Sequence, residues 1–244
     1  MMRAGRTRYH VHCVRRALSK PLLLLIVIGI LAGGGAIIWR KVIRDQVIPK
    51  NFGVVEEGRL YRAGGLTEAT MRDVVRDHQI RTIVDLGAFD REPEREQSMQ
   101  KLADELRVKR HTFRLKGDGT GNPNDYVAAL RYMTDPANQP VLVMCSAGAQ
   151  RTGAAVILYR CIHDDMTIQQ AYPESFKHRH DPGHDWTMLA YLADWADEIQ
   201  RAYREGEWID GQPPTTELHG TKSNDATVAA GTTGQDQADR PINP

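Results

Sequence analysis

The sequence predicts an α/β domain with a central, largely parallel sheet flanked by helices. Short apolar runs of strand length alternate along the chain with longer segments whose apolar residues recur at helical spacing. The runs at 81–86, 110–115 and 140–143 are separated from one another by predicted helices, and strands joined in this way usually lie parallel in one sheet. We therefore expect ligands to bind at the carboxyl ends of these strands.

The predicted domain begins near Pro49 with a β-hairpin. Residues 52–55 and 59–62 flank Glu56-Glu57-Gly58, a pattern typical of two strands joined by a turn. A helix follows from Thr67, whose hydroxyl suits a helix cap. Taken in order, the predicted helices span 67–78, 91–106, 125–133, 152–162, 167–178 with an interruption at Pro173, and 186–203.

The segment that joins strand 140–143 to helix 152–162 carries the strongest functional signal. The backbone N–H groups of a loop of small residues and of the first helical turn point into one concavity, where the helix dipole favours negative charge. Cys145 lies at the mouth of this anion site. Six residues later, Arg151 offers a planar guanidinium suited to two phosphate oxygens.

This spacing resembles the signature of the protein tyrosine and dual-specificity phosphatases, His-Cys-x-x-Gly-x-x-Arg-Ser/Thr-Gly. The residues that match it are Cys145, Gly148, Arg151, Thr152 and Gly153. Met144 replaces the His, which in the family helps to lower the pKa of the nucleophile. The match disfavours the alternative, an inert core Cys. The segment at 61–64, Tyr-Arg-Ala-Gly, is similar to one near the start of the atypical dual-specificity phosphatases, and the resemblance extends to about residue 204.

The resemblance implies a two-step reaction, in which the thiolate of Cys145 attacks phosphorus and water then hydrolyses the phosphocysteine. It implies no metal or other cofactor. Thr152 is expected to donate its hydroxyl to the sulfur and so to assist the second step, and it could also cap the helix. Gln150 either orients the hydrolytic water or faces solvent. The phosphate-binding loop would comprise Ser146, Ala147, Gly148, Ala149, Gln150 and Arg151.

The family also uses an Asp on a mobile loop, some tens of residues before the Cys, to protonate the leaving oxygen. Asp118 lies 27 residues before Cys145, follows the strand at 110–115 and is flanked by Gly117 and Gly119. The alternative is an ordinary turn Asp. Asp125, further along the same loop, is the second candidate for the acid.

The first 50 residues predict a membrane anchor. They hold ten Lys or Arg residues and one acid, and 1–20 forms a basic N-terminal segment. Residues 21–39 carry no charge, and as a helix they would span about 28 Å, close to the hydrocarbon thickness of a bilayer. Trp39 suits an interfacial anchor. A cleaved signal peptide is the alternative, but no small-x-small cleavage site precedes Arg40.

The side of the membrane stays open. Six basic residues precede the span and four follow it, which favours a cytoplasmic N-terminus and an exported catalytic domain. The family resemblance points the other way, because most relatives work in the cytosol, where thiols stay reduced.

The remaining features narrow the class of protein. Cys13, Cys145 and Cys161 do not make a disulfide framework, and Cys161 is expected in the core. Beyond residue 50 the chain is net acidic, so it lacks the basic surface that nucleic-acid binding requires.

The cluster at 178–185, His-Arg-His-Asp-Pro-Gly-His-Asp, matches no tetrahedral metal template and is expected to be a solvated loop. The phosphatase domain is predicted over 48–204, with a disordered tail over 205–244.

The sequence thus predicts a membrane-anchored, cysteine-dependent phosphatase that acts on phosphotyrosine, phosphoserine or phosphothreonine proteins. A phosphatase for lipids or other small phosphomonoesters is one alternative, and a non-catalytic phosphate-binding module is another. An arsenate reductase would also use a Cys and an Arg at this spacing, but it needs further redox cysteines, and Cys161 alone is near. The sequence does not indicate the oligomeric state.

Overall fold

Five strands form one mixed sheet, with the strand that leads to Cys145 at its centre. The computed structural model describes residues 25, 28, 29, 31, 33, 39, 44–183, 185–211 and 214. The strands are β1 (Gly53–Glu56), β2 (Leu60–Ala63), β3 (Thr82–Asp85), β4 (Lys109–Thr112) and β5 (Val141–Met144). The helices are α1 (Glu68–His78), α2 (Pro93–Leu106), α3 (Pro123–Thr134), α4 (Gln150–His163), α5 (Ile168–Ala171) and α6 (Trp186–Glu205).

The sheet order is β1-β2-β5-β3-β4. β1 and β2 form the predicted antiparallel hairpin, whereas β2, β5, β3 and β4 run parallel. The expectation of a largely parallel α/β sheet is confirmed. Because β5 lies between two parallel neighbours, its carboxyl end opens at the edge where such sheets bind ligands.

Two apolar clusters cover the two faces of the sheet. Successive residues of a strand point to opposite faces, so Val143 and Cys145 belong to one cluster and Leu142 and Met144 to the other. Met144 is fully buried in the cluster that also contains Phe89. The side chain that stands in the place of the family His therefore fills the core on the face opposite to Cys145.

Two predicted elements differ from the structure. The segment 167–178 is not one helix, because α5 ends at Ala171 and a 3₁₀-helix, Tyr172–His178, follows. Pro173 has no N–H to donate, which weakens a continuing α-helix. The strand predicted over 110–115 ends at Thr112, although Phe113 and Leu115 remain buried in the core.

The folded part extends beyond the predicted boundary at residue 204. A short 3₁₀-helix, Ile209–Gly211, follows α6, and Ile209 is buried. The Asn124 side chain accepts from the Ile209 N–H at 2.9 Å and donates to the Ile209 carbonyl at 3.0 Å. This paired contact fixes the segment to the start of α3. Except for Pro214, the predicted tail beyond residue 211 lies outside the described residues.

The N-terminal prediction falls mostly outside the described residues. The chain divides into two units, Met1–Val47 and Ile48–Pro244. In the first unit, a short helix at Arg44–Val47 carries an Arg44–Asp45 ion pair at 2.7 Å. The basic segment 1–20 and most of the span at 21–39 are not among the described residues. In the part of the chain that the structure describes, no helix combines the length and the apolar character needed to cross a bilayer.

Candidate active site

The Cys145 side chain lies at the base of the loop between β5 and α4, and it is 2% exposed. Its Sγ accepts the N–H of Gly148 at 3.2 Å. Gly148 has a φ of +70°, which a residue with a Cβ rarely adopts, and this turns the loop back over the sulfur. The N–H donor and the start of the 14-residue helix α4 both favour a negative charge at this point.

Two side chains that follow the N-terminal unit hold the outer side of the loop. Lys50 Nζ donates to the carbonyl of Ser146 at 2.9 Å. Asn51 Nδ2 donates to the carbonyls of Ala147 at 3.1 Å and Gly148 at 2.9 Å. In a trans peptide the carbonyl and the next N–H point in opposite directions. Fixing these carbonyls outward therefore turns the following N–H groups into the concavity, where an anion binds.

Arg62 completes this support from inside the protein. It is 1% exposed, and its Nη2 donates to the Gly148 carbonyl at 2.9 Å. Burial lowers the pKa of Arg62 to about 10, although Glu174 and Cys145 act to raise it, so the guanidinium stays charged at neutral pH. The loop also lies directly on the glycine that follows β2, because a Cβ on Gly148 would be 2.6 Å from the Gly64 nitrogen. Through these contacts the segment 61–64 lies directly against the Cys loop and supports it.

Arg151 lies in the first turn of α4 and is 5% exposed. Its Nη1 donates to the carbonyls of Leu86 at 2.9 Å and Gly87 at 2.5 Å. Its Nε is buried and makes no hydrogen bond to any described residue. A buried donor without a partner costs about 1–3 kcal/mol. A phosphoryl oxygen bound in the loop would supply the missing acceptor, while Nη1 stays bonded to the backbone.

A buried ion network orders the backbone that holds Arg151. Asp85, at the end of β3, accepts the Ala88 N–H at 2.6 Å. Arg110 Nη2 lies 2.7 Å from carboxylate oxygens of both Asp85 and Glu96. Removing Arg110 would leave two buried carboxylates unpaired, a change that costs about 3–5 kcal/mol. This network was not predicted from the sequence, since no local pattern connects the three elements that carry its residues.

The predicted loop residues border one cavity of about 310 Å³. Asp90 also lines it, and its Oδ2 lies 3.8 Å from Arg151 Nη1. Asp90 was not predicted from the sequence, although its place after the carboxyl end of β3 could have indicated it. The described lining residues are Ala88, Asp90, Arg91, Glu92, Gly117, Cys145, Ser146, Ala147, Gln150 and Arg151.

Asp118 is exposed on the turn that borders this cavity through Gly117. Its Oδ1 accepts the N–H of Thr120 at 3.0 Å and the Thr120 hydroxyl at 2.8 Å. Burial acts to raise the pKa of Asp118, but the hydrogen bonds from Thr120 outweigh it and the pKa lies below its usual value. Tyr126 fixes the turn by donating to the Gly119 carbonyl at 2.7 Å.

The second candidate for the acid is less well placed. Asp125 is fully buried in the first turn of α3. Neither Asp125 nor Asp118 is among the described residues that line the cavity with Cys145, but Gly117, the neighbour of Asp118, is. Asp118 is therefore the better placed of the two, and its catalytic role stays a prediction.

Thr152 does not make the predicted contact. Its Oγ1 is buried and forms no hydrogen bond to any described residue, so no bond to the Cys145 sulfur is present. It is also not the helix cap, because α4 begins at Gln150 and Ala149 precedes it. The role of the Thr152 hydroxyl in the second step stays a prediction.

Cys161 is buried in the core, as expected from its apolar helix face, and it is not among the residues that line the Cys145 cavity. It is buried and lines a separate groove of about 700 Å³ between α4 and α6. Burial raises the pKa of its thiol, which keeps the sulfur protonated and unreactive at neutral pH. The smaller cavity at Cys145 is the candidate active site, because there the thiol accepts a backbone N–H and shares the cavity lining with Arg151.

The histidine-rich segment 178–185 has a structural use. His180 pairs with Tyr172 and Gln150, and the His178 carbonyl accepts the Asn51 amide at 3.0 Å. Among residues 44–183 and 185–211, no group of three or more His, Cys, Asp or Glu is arranged to hold a metal ion. His184 lies outside the described residues.

We expect Asp118→Asn to slow phenyl and alkyl phosphates far more than activated aryl phosphates, by about 10²–10⁴ for the loss of a general acid. Poor leaving groups need the proton, whereas activated phenolates leave without it. Thr120→Val is the matched control, because it keeps the carboxyl but removes one bond to its charged form. In this variant the pKa of the Asp118 carboxyl should rise, and the alkaline limb of the pH–rate profile should move to higher pH. A leaving-group series on both variants makes the test, and an unchanged slope in Asp118→Asn would remove Asp118 as the acid.

Comparisons with known proteins agree with this geometry. The family model described as "DSP-PTPase phosphatase fused to NAD+ Kinase" matches residues 37–186, more than half of the chain. The core catalytic domain of the PP-IP phosphatase SIW14 from S. cerevisiae has a similar fold, with a TM-score of 0.52, 21% identity, and coverage of 67% of this chain and 97% of that one. A P. aeruginosa TpbA structure in complex with pTyr gives a TM-score of 0.50 at 21% identity, covering 64% of this chain and 91% of that one. The comparison with curated protein sequences found no significant match. The chain belongs to this DSP-PTPase family, and it is a phosphatase of the protein-tyrosine and dual-specificity type.

Proposed function

We propose that this chain is a membrane-anchored phosphatase that hydrolyses phosphomonoesters on proteins through a phosphocysteine at Cys145. The observation that carries the proposal is the anion site itself. Lys50 and Asn51 hold its carbonyls, the Gly148 N–H donates to the Cys145 sulfur, and that sulfur lies at its base. Arg151 Nε is a buried donor without an acceptor among the described residues.

In the first step the Cys145 thiolate attacks phosphorus, a P–S bond forms and the P–O bond to the leaving group breaks. The leaving oxygen takes a proton from Asp118 in the protonated form of that carboxyl, which is the minor form at neutral pH because the pKa of Asp118 lies below its usual value. The loop N–H groups and Arg151 bind the three remaining phosphoryl oxygens as their charge is redistributed. Fixed donors of this kind stabilise the transition state without reorganising during the reaction.

In the second step water attacks the phosphocysteine, the P–S bond breaks and the thiolate leaves. The Asp118 carboxylate accepts the proton of the water. Gly148 N–H already donates to Sγ, so the departing thiolate enters a preformed hydrogen bond. No other reactant is required, since water supplies the oxygen of the released phosphate.

The charges at the cavity mouth favour a substrate with a single phosphate. The described lining residues include two cations, Arg91 and Arg151, and two carboxylates, Asp90 and Glu92. The loop side chains between Cys145 and Arg151 add no cation. A substrate with several phosphates would need an excess of positive charge. One of the two related structures is a PP-IP phosphatase and the other is a complex with pTyr. Since these point to different substrates, we base the substrate class on the charges at the cavity mouth.

The substrate class is tested by measuring kcat/KM of the full-length chain on matched substrates. The panel comprises a phosphotyrosine peptide, a phosphoserine peptide, a phosphatidylinositol monophosphate in vesicles and an inositol polyphosphate. We expect the phosphopeptides to give the highest values. A clear preference for the lipid would support the alternative of a lipid phosphatase, and phosphate binding without turnover of any substrate would indicate a non-catalytic module.

The membrane anchor rests on the uncharged run at 21–39. Full-length protein should stay in the membrane fraction after a high-salt or carbonate wash, because about 19 apolar residues suffice to span the hydrocarbon. A fragment that begins near Pro49 should stay in the supernatant and serves as the control. Release of the full-length protein by salt would show a peripheral, charge-dependent attachment instead.

A further inference from the structure

Three side chains form a hydrogen-bonded chain that ends in the catalytic cavity. Tyr172 Oη lies 2.8 Å from His180 Nε2, and His180 Nδ1 lies 3.0 Å from Gln150 Oε1. The His180 side chain is 0% exposed. Gln150 opens α4 and lines the cavity with Cys145 and Arg151. Gln150 therefore does not simply face solvent, because His180, itself paired with Tyr172, holds it in place.

In the structure the Gln150 amide is oriented with Oε1 toward His180 Nδ1, and this orientation sets the tautomer of the imidazole. Burial lowers the pKa of His180, although Asp185 and Asp181 act to raise it, so the imidazole is neutral near pH 7. A neutral imidazole has one donor and one acceptor. Since Gln150 Oε1 can only accept, His180 Nδ1 carries the proton, and Nε2 accepts from the Tyr172 hydroxyl.

The amide nitrogen of Gln150 is then left for the cavity. Gln150 Nε2 forms no hydrogen bond with any residue that the structure describes. The backbone of Gln150 lies against the turn that bears Asp118, since a Cβ on Gly119 would be 3.5 Å from the Gln150 carbonyl carbon. Gln150 is thus on the side of the cavity that borders the proposed acid, which is where a leaving group departs and where water must enter.

We propose that Tyr172 and His180 are positioning residues that hold the Gln150 amide so that its NH₂ group donates to the water that hydrolyses the phosphocysteine. The donated bond occupies one lone pair of the water and directs another at phosphorus. The water proton goes to the Asp118 carboxylate as the P–S bond breaks. Arg151 and the loop N–H groups bind the phosphoryl oxygens in both steps, so Gln150 acts mainly in the second. This inference rests on the proposed phosphocysteine mechanism.

The test separates the two steps by rapid quench, with full-length protein and an activated aryl phosphate. We expect Gln150→Ala to leave the burst of phenol release unchanged and to slow phosphocysteine hydrolysis by about 10- to 100-fold, the scale of a misplaced reactant. His180→Gln should do the same, because it loses the donor at Nδ1. His180→Asn is the matched control, since its amide can still donate to Gln150, and it should keep most of the second step.

A second readout is the partition of the phosphocysteine between water and added glycerol. Loss of the amide should raise the share of glycerol phosphate, which a general loss of stability would not do. Equal slowing of both steps, or an unchanged second step in Gln150→Ala, would overturn the inference while leaving the proposed function intact. Absence of any burst and of any phosphocysteine in the unaltered protein would instead overturn the proposed function.

Discussion

Replacing Cys145 by Ser should abolish turnover, with a fall in kcat on the order of 10⁴–10⁶ as expected for the loss of a nucleophile. A serine hydroxyl is far less acidic than a thiol, and the helix start and the Gly148 N–H cannot ionise it at neutral pH. Binding should survive, because the loop N–H groups and Arg151 are unchanged. Steady-state kinetics and calorimetric titration with inorganic phosphate measure the two properties.

Cys161→Ser is the control for that experiment. It also removes a buried thiol, but from the separate groove between α4 and α6. Its activity should stay close to that of the unaltered protein. If Cys145→Ser kept near-normal rates without a metal, the reaction would not proceed through the sulfur.

Arg151→Lys should lower kcat/KM by about 10²–10³, the effect of losing one preorganised donor to the transition state. Lysine keeps the charge but lacks the planar guanidinium. That group can donate to backbone carbonyls with one nitrogen and to phosphate oxygens with the others. In this protein Nη1 is engaged by Leu86 and Gly87, so the substitution also releases that backbone. The measurement is steady-state kinetics with an activated aryl phosphate.

Arg91→Lys is the matched control for charge. Arg91 is exposed at the cavity mouth and lines the same cavity. Because its guanidinium geometry is not used by the proposed reaction, Lys should substitute for it with little change. Equal activity of Arg151→Lys and the unaltered protein would place Arg151 outside the reaction.

The sequence predicted the centre of this site because its parts are local. A Cys and an Arg six residues apart, between a strand and a helix, are brought together by one turn of backbone. Gly148 lies in the same turn, and its positive φ closes the loop. The alternation of strands and helices likewise predicted the parallel sheet, because each crossover requires a helix of its own.

The support around the site was not predictable, because it comes from distant parts of the chain. Lys50, Asn51 and Arg62 precede the loop by more than 80 residues, and nothing near them in sequence indicates a carbonyl to hold. The use of His180 was missed for the same reason. Its sequence suggested either a metal ligand or a solvated loop, whereas its partner is Gln150, 30 residues away.

Met144 shows why a departure from a family signature needs the structure to interpret it. At the sequence level the missing His places the reactivity of Cys145 in question. In the structure the Met144 side chain belongs to the apolar cluster on the face of the sheet opposite to Cys145. The replacement therefore changes the core and leaves the donors around the sulfur in place, namely the Gly148 N–H and the start of α4.

The most direct test of the mechanism is to trap the intermediate. The full-length protein is mixed with a phosphotyrosine peptide, quenched within the burst and digested, and the fragment that contains Cys145 is examined by mass spectrometry. We expect one phosphate on that fragment, carried by the Cys145 sulfur. It should be absent from Cys145→Ser and present in larger amount in Gln150→Ala. Active protein that never carries phosphate on Cys145, or that carries it on another residue such as Ser146 or Thr152, would contradict it.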